Sequence, residues 1–305
     1  MDGFLGELGK RLAERWFTLL VLPGALYLAI CATANALGQA HALEPGRLAR
    51  RVTAWSKTPG GTTGGQILIL AAILVGAAAA GFVAQAVGRL AERLVLAADW
   101  TGWPYPLYLL ASRLVDRRRR RWDAASSEYQ QRREQARQAR AHGDREDPAE
   151  RDRAYRALNR IAEARPQRPT WSGDRIHAVG RRLHDDLGID TARSWPALWL
   201  VLPDTSRAEI TTARTDLAGA ATLAGWAALY LPIAVWWWPA APVALVLAIA
   251  SAHRFRTAAD TYARLIEASA RLNIVALAEK LKIPADGPAT VETGRAITSQ
   301  LGPHG

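Results

Sequence analysis

At 305 residues the chain has room for about two ordinary domains. Half of it is hydrophobic while the formal net charge is +11, so apolar and charged residues must be kept in separate segments. One cysteine, Cys31, excludes an intrachain disulfide framework. Of 39 basic residues only Lys10, Lys57, Lys280 and Lys282 are lysine, a skew typical of coding bias, so the arginine excess alone specifies no chemistry.

Residues 16–37 carry no charge. As a helix they would extend about 33 Å, enough to cross a bilayer core, with a kink predicted at Pro23-Gly24 and Cys31 buried as a spare thiol. Lys10, Arg11 and Arg15 precede this run, and small residues at Ala32, Ala34 and Ala36 resemble a cleavage site. The length of the run and the acids in the leader favour a retained span. The external loop that follows ends in TPGGTTGG, a flexible tether without the Lys-Ser/Thr of a phosphate-binding loop.

Residues 66–88 form a second charge-free run. Gly76, Ala80, Ala84 and Gly88 recur in it every four residues, which predicts a stripe of small side chains where another helix approaches closely. The third run, 217–252, would be about 54 Å long as one helix and must turn back within a bilayer of about 30 Å. Pro232, Pro239 and Pro242 are expected to mark the turn, and Trp236, Trp237 and Trp238 to anchor it at the headgroups. The last arm is short, so a re-entrant hairpin is the alternative to a fourth span. Arginines flanking the runs place the middle segment and both termini in the cytoplasm; Arg47, Arg50, Arg51 and Lys57 in the external loop run against this scheme.

Between the second and third runs lie residues 89–216, with 25 arginines against 19 acids. Residues 99–115 are aromatic and proline-broken, and are expected to lie along the inner headgroups. There follows DRRRRRW, whose Arg117, Arg118, Arg119, Arg120 and Arg121 are expected to bind anionic lipid. From 116 to 174 only Leu158 and Ile161 are aliphatic residues larger than alanine. A thin helical seam through Trp122, Ala125, Tyr129, Ala136 and Ala139, broken by Arg132, predicts one arm of an antiparallel hairpin. Asp147, Pro148 and Glu150 predict the start of the other. Ile176, Val179, Leu183 and Leu187 share one face of a further helix stopped by Gly188. Ser206 with Glu209 predicts another helix start, running into the third span. After the last span a charged helix should continue to about Leu281, followed by a short terminal one.

The order RIHAVGRRLHDDLGID, SWPALWLVLP, hydrophobic hairpin and YARLIEASARLNIVALAEKLKIP, over residues 175–284, resembles a group of bacterial, actinobacterial-type integral membrane proteins with no assigned activity. The resemblance implies a membrane topology and no catalytic residues.

The expected fold is therefore all-α: a polytopic helical membrane protein of about four transmembrane helices with a charged helical cytoplasmic insertion. The expected segments are 1–98, 99–171, 172–258 and 259–305. His177 and His184 sit about 10 Å apart along a helix axis, too far to chelate a metal unaided. Glu267 and His253 are expected near the membrane interface. Acids interleaved with the arginines argue against nucleic acid. Ionisable groups are absent from the three charge-free runs, which argues against an ion-coupled carrier. No cofactor is expected. The expected function is non-enzymatic: a bacterial inner-membrane protein that uses its cytoplasmic helices to scaffold or recruit a protein partner, with anionic inner-leaflet lipid as a second partner. The alternative is an oligomeric pore or membrane effector.

Overall fold

A computed structural model of the chain describes residues 21–44, 46–47, 49–50, 53, 63–142, 148–284 and 287–302. The basic leader, the start of the first apolar run, most of TPGGTTGG and the Asp147 cap lie outside the described residues. Among the described residues nine α-helices follow in order: α1 Leu22–Leu37, α2 Thr63–Leu96, α3 Tyr105–Ala141, α4 Pro148–Ile161, α5 Trp171–Leu187, α6 Thr191–Val201, α7 Asp204–Trp236, α8 Ala240–Lys280 and α9 Val291–Gln300. A single 3-10 turn, Trp100–Gly102, joins α2 to α3, and no strand occurs among the described residues.

Among the described residues two helices are long and apolar enough to cross a membrane: α2 over Gly65–Leu96, and α7 over Asp204–Trp236. Of the four expected crossings, these two meet that length among the described residues. The described part of α1 has 16 residues, about 24 Å of helix, and the charge-free part of α8, 240–252, measures about 20 Å. Asp204, two residues before the expected cap, opens α7, which runs unbroken through Pro232. The reversal occurs at 237–239, at the expected tryptophan turn and at Pro239 rather than Pro232, where Ala240 and Ala241 donate back to the carbonyls of Trp237 and Trp238 at 3.1 and 2.9 Å.

The chain divides into two compact units: Met1–Glu92 with Ala218–Arg254, and Arg93–Leu217 with Phe255–Gly305. The four consecutive segments expected from sequence regroup in this way because antiparallel helices pair parts of the chain that are far apart in sequence.

In the first unit, helix approach is limited by backbone rather than side chains. A Cβ on Gly24 would lie 2.0 Å from the Ala77 carbonyl oxygen, and one on Gly225 would lie 1.9 Å from that of Ala84. A Cβ on Gly88 would sit 2.7 Å from the Ala221 oxygen. The pairs Ala84–Gly225 and Gly88–Ala221 run in opposite directions, so α2 and this part of α7 are antiparallel. The buried stripe of α2 is Ala77, Gly81, Ala84 and Gly88, a correction to the expected Gly76–Ala80–Ala84–Gly88. A strict step of four gains about 40° per repeat on a helix of 3.6 residues per turn, so the contact face needs alternating steps of four and three. Gly76 meets the Leu28 side chain instead, and Ala80 is half-buried. Tyr27 packs edge-on to Tyr230 at 5.4 Å, and Ser251 donates to the Ala220 carbonyl at 2.7 Å. Cys31 is half-buried rather than buried.

The second unit has an ordinary apolar core. Val179 and Leu183 of α5, Leu198 of α6, Ile266, Ile274 and Leu277 of α8, and Ile297 of α9 are buried together. The face expected for α5 is the one it buries. Gly188 ends it at φ 67, the left-handed conformation that glycine adopts without a Cβ penalty. Against this core α9 packs so closely that a Cβ on Gly294 would lie 1.7 Å from the Leu187 oxygen.

Gly225→Ala should destabilise the protein by about 1–3 kcal/mol through overpacking against Ala84. Leucine at the exposed Ala86 should be tolerated. Thermal unfolding of both variants in detergent checks this, and equal midpoints would mean that the α2–α7 contact is not close-packed.

Candidate functional site

Residues 161–170 have no helical period, and with Pro166 and Pro169 among them they cannot form one. Their carbonyls and amides therefore need partners from elsewhere. Arg118 supplies three of them. Its guanidinium donates to the carbonyls of Ile161 at 2.9 Å, Arg168 at 2.5 Å and Thr170 at 2.7 Å, and it forms an ion pair with Asp174. Asp174, on the first turn of α5, also accepts the amides of Gln167 and Arg168, both at 2.8 Å. Both ionic side chains are largely buried, 16% exposed for Arg118 and 10% for Asp174. Arg119 donates to the Pro166 carbonyl at 2.9 Å and Trp122 to that of Ala162 at 3.1 Å. From the far side, Arg168 reaches the carbonyls of Leu96 and Ala97. Thr170 caps α5, accepting from Gly173 at 3.1 Å, and donates to Val95.

This assignment divides the five arginines. Arg118 and Arg119 are committed to the 161–170 segment, while Arg117, Arg120 and Arg121 are exposed. Residues 99–115 and DRRRRRW are not separate pieces, as expected, because α3 runs without a break from Tyr105 to Ala141. Pro106 falls in its first turn, where its missing N–H costs nothing. The sequence held the signal for Arg118. Ala111, Val115, Arg118, Trp122, Ala125 and Tyr129 follow alternating steps of four and three, so the seam that starts at Trp122 extends one turn back through Arg118. That seam is covered by α4: Tyr129 lies 5.5 Å from Tyr155, and Arg132 pairs across to Glu150 at 2.7 Å rather than along the helix to Glu128. These pairs run antiparallel, as expected of the hairpin.

A second polar array joins α5, α8 and Glu163. Arg264, Asp260, Arg175, Glu163, Arg182, Glu267, Arg271 and Asp186 form a chain of alternating charge. Arg175, 5% exposed, lies 2.7 Å from Asp260 and 3.0 Å from Glu163. Burial pushes the Asp260 and Glu267 carboxyls up, but hydrogen bonds and charge from their arginine partners outweigh it and hold both below the usual range. Glu267, expected at the membrane interface, is a member of this array. Beside it Arg256 stacks 4.3 Å over the Trp171 ring.

In the first unit Trp236 and Trp238 are about half exposed, and Trp237 donates to the Ala42 carbonyl at 3.4 Å. Sequence reasoning missed Gln39, which accepts from Trp238 N–H at 3.2 Å and donates to the Val235 carbonyl at 2.7 Å. It thereby replaces partners lost where α7 ends. No pattern flags a lone glutamine after a helix.

His177 and His184 do not converge. The His177 ring bonds to Gln167 at 3.1 Å through Nε2 and to the Arg168 guanidinium at 3.2 Å through Nδ1, while His184 is exposed. Arg168 can only donate, so Nδ1 must accept and the proton sits on Nε2. Among the described residues no three His, Cys, Asp or Glu side chains are grouped to hold a metal. The cavity beside Asp174 and Arg175 has a volume of about 10 Å³, barely enough for one water. No family model, no curated protein and no solved structure matches this chain.

Arg118→Ala should cost about 3–5 kcal/mol, since it leaves a buried carboxylate without its ion partner. Arg121→Ala, on the exposed side of the same helix, should change stability by no more than about 0.5 kcal/mol. Chemical denaturation followed by circular dichroism separates the two, and similar losses would remove Arg118 from its place in the loop.

Burial, then the charges of Arg168 and Arg181, push the His177 pKa below its ordinary 6.5. The unfolded chain therefore takes up this proton at higher pH than the folded one. The His177 contribution is complete well above pH 6.5 and is lost as pH falls from there through the lowered folded value. The melting midpoint should drop over that window, above the range where the carboxylates titrate, and His177→Asn should flatten the slope. An unchanged slope in the variant would exclude His177 as the source.

Proposed function

We propose that this chain is a four-crossing integral membrane protein whose charged helical unit holds a protein partner at the cytoplasmic face without catalysing a reaction. The observation that carries the membrane reading is the outward face of the first unit. Ten consecutive residues of α2, 66–75, are exposed, and nine of them are Ile, Leu, Ala or Val. Exposed Phe82, Leu231, Val235, Leu245, Val246 and Ile249 extend the apolar surface over α7 and α8. An exposed apolar surface of this extent needs a non-aqueous partner, and hydrocarbon suits a face with no ionisable group. The alternating direction of α2, α7 and α8 within that unit supports a crossing by each. For α1 and α8, neighbouring helices and snorkelling Arg254 would make up the missing length. The flanking arginines favour cytoplasmic termini.

The scaffold reading is supported by how the buried charges are used. Asp174 and Arg118 are engaged by the 161–170 segment and by each other, Arg175 and Arg182 by carboxylates of the alternating array, and the adjoining cavity holds no more than a water. The α3–α4 hairpin, by contrast, exposes most of its charged side chains beyond the short core it shares.

Two measurements test this. With Cys31 replaced, a cysteine at the half-exposed Trp238 should react with an impermeant thiol reagent added outside whole cells. Cysteines at Gln131 and Leu272 should react only after lysis. Liposomes containing the protein should retain a small dye; leakage would favour the oligomeric pore, and outside labelling at Gln131 would reverse the orientation.

A further inference from the structure

The exposed face of α3 beside its buried seam has two zones. Leu107, Leu110 and Leu114 are 43%, 57% and 40% exposed, and Arg117 and Arg121, one and two turns on, are exposed as well. At 3.6 residues per turn all five fall within an arc of about 80°, centred about 90° around the helix from Ala111, Val115, Arg118 and Trp122. Arg113 borders the same arc and is exposed. A helix surrounded by water gains nothing from three leucines on its free side, and a helix inside a protein core would not follow them with arginines. The combination fits a boundary between oil and anionic charge. Chain length fits too: Tyr105 starts nine residues after Leu96, so the start of α3 stays within about 30 Å of the end of α2. Committing Arg118 and Arg119 to the 161–170 segment fixes the rotation of α3, so the leucines cannot turn inward without breaking that network.

The geometry points to this face as an interfacial lipid-binding surface. Leu107, Leu110 and Leu114 enter the headgroup–acyl boundary, and Arg113, Arg117 and Arg121 take anionic phosphate headgroups. The inference rests on the membrane reading above and adds to it the ligand and the residues that take it. It revises the expectation of a lipid site on all five consecutive arginines, since two of them face inward.

The test uses the full chain with Cys31→Ser in nanodiscs of phosphatidylcholine, with and without phosphatidylglycerol. An environment-sensitive fluorophore is placed at Leu110→Cys, with Leu70→Cys on α2 as bilayer reference and Gln131→Cys as water reference. Quenching by headgroup-proximal spin-labelled lipid should be several-fold greater at Leu110 than at Gln131 in the anionic discs, and weaker in neutral ones. Raising salt from about 0.1 M to about 1 M, which shortens the Debye length from about 10 Å to about 3 Å, should reduce it. So should Arg113→Gln with Arg117→Gln and Arg121→Gln, at unchanged helicity and melting midpoint. If Leu70 is quenched while Leu110 is as wet as Gln131, the lipid face is wrong and the membrane reading stands. If Leu70 is not quenched, both fall. Equal quenching at Leu110 in neutral and anionic discs overturns the role of the arginines. A dry Leu110 that no lipid quenches means a protein covers the face, and also overturns the proposal.

Discussion

The ion pair between Arg118 and Asp174 is the interaction on which the second unit depends. Taking both groups out of water is unfavourable unless nearly every donor and acceptor is used. Here they are: the carboxylate takes two amides and a guanidinium, and the guanidinium serves three carbonyls besides. One pair thus gives partners to a stretch whose two prolines keep it from forming a helix, and it ties the end of α4 to the start of α5. The start of α5 then sets Arg175 and Arg182, a heptad apart, opposite Asp260 and Glu267, also a heptad apart.

The first unit is held by different physics. Its helices carry no ionic partners across most of their length, and many of its large apolar side chains point outward. Beside a cluster built on Tyr230 and Ile233, the close contacts are between small residues: Gly24 on Ala77, Gly225 on Ala84, Gly88 on Ala221. Close backbone approach gives dispersion contact over many atoms. At one end of the unit Gln39 and Trp237 bind carbonyls around the α7–α8 turn.

The charge array along α5 and α8 shows why net charge is a poor guide to this protein. The array has four arginines and four acids, so half-buried charges cancel locally. Much of the +11 excess is left to exposed positions such as Arg113, Arg117, Arg120 and Arg121. Excess charge on the surface acts on what the protein meets rather than on how it folds.

The sequence alone determined the helical class, the apolar runs, the amphipathic face and glycine stop of α5, and the antiparallel hairpin of α3 and α4. Each of these is written as a local period or a terminal residue, and local periods survive without knowledge of neighbours. The stripe on α2 was legible in kind but not in register, because a step of four and an alternation of four and three differ only once the facing helix is known. Arg118 was half legible: its position on the buried seam follows from spacing, but a guanidinium on a seam is believable only when the carbonyls it serves are in view. Gln39, Arg168 and the pairing of Glu163 with two arginines of α5 were decided by tertiary structure alone. Their partners are donors and acceptors of irregular backbone or residues distant in sequence, and hydrogen-bond need of that sort has no pattern along the chain.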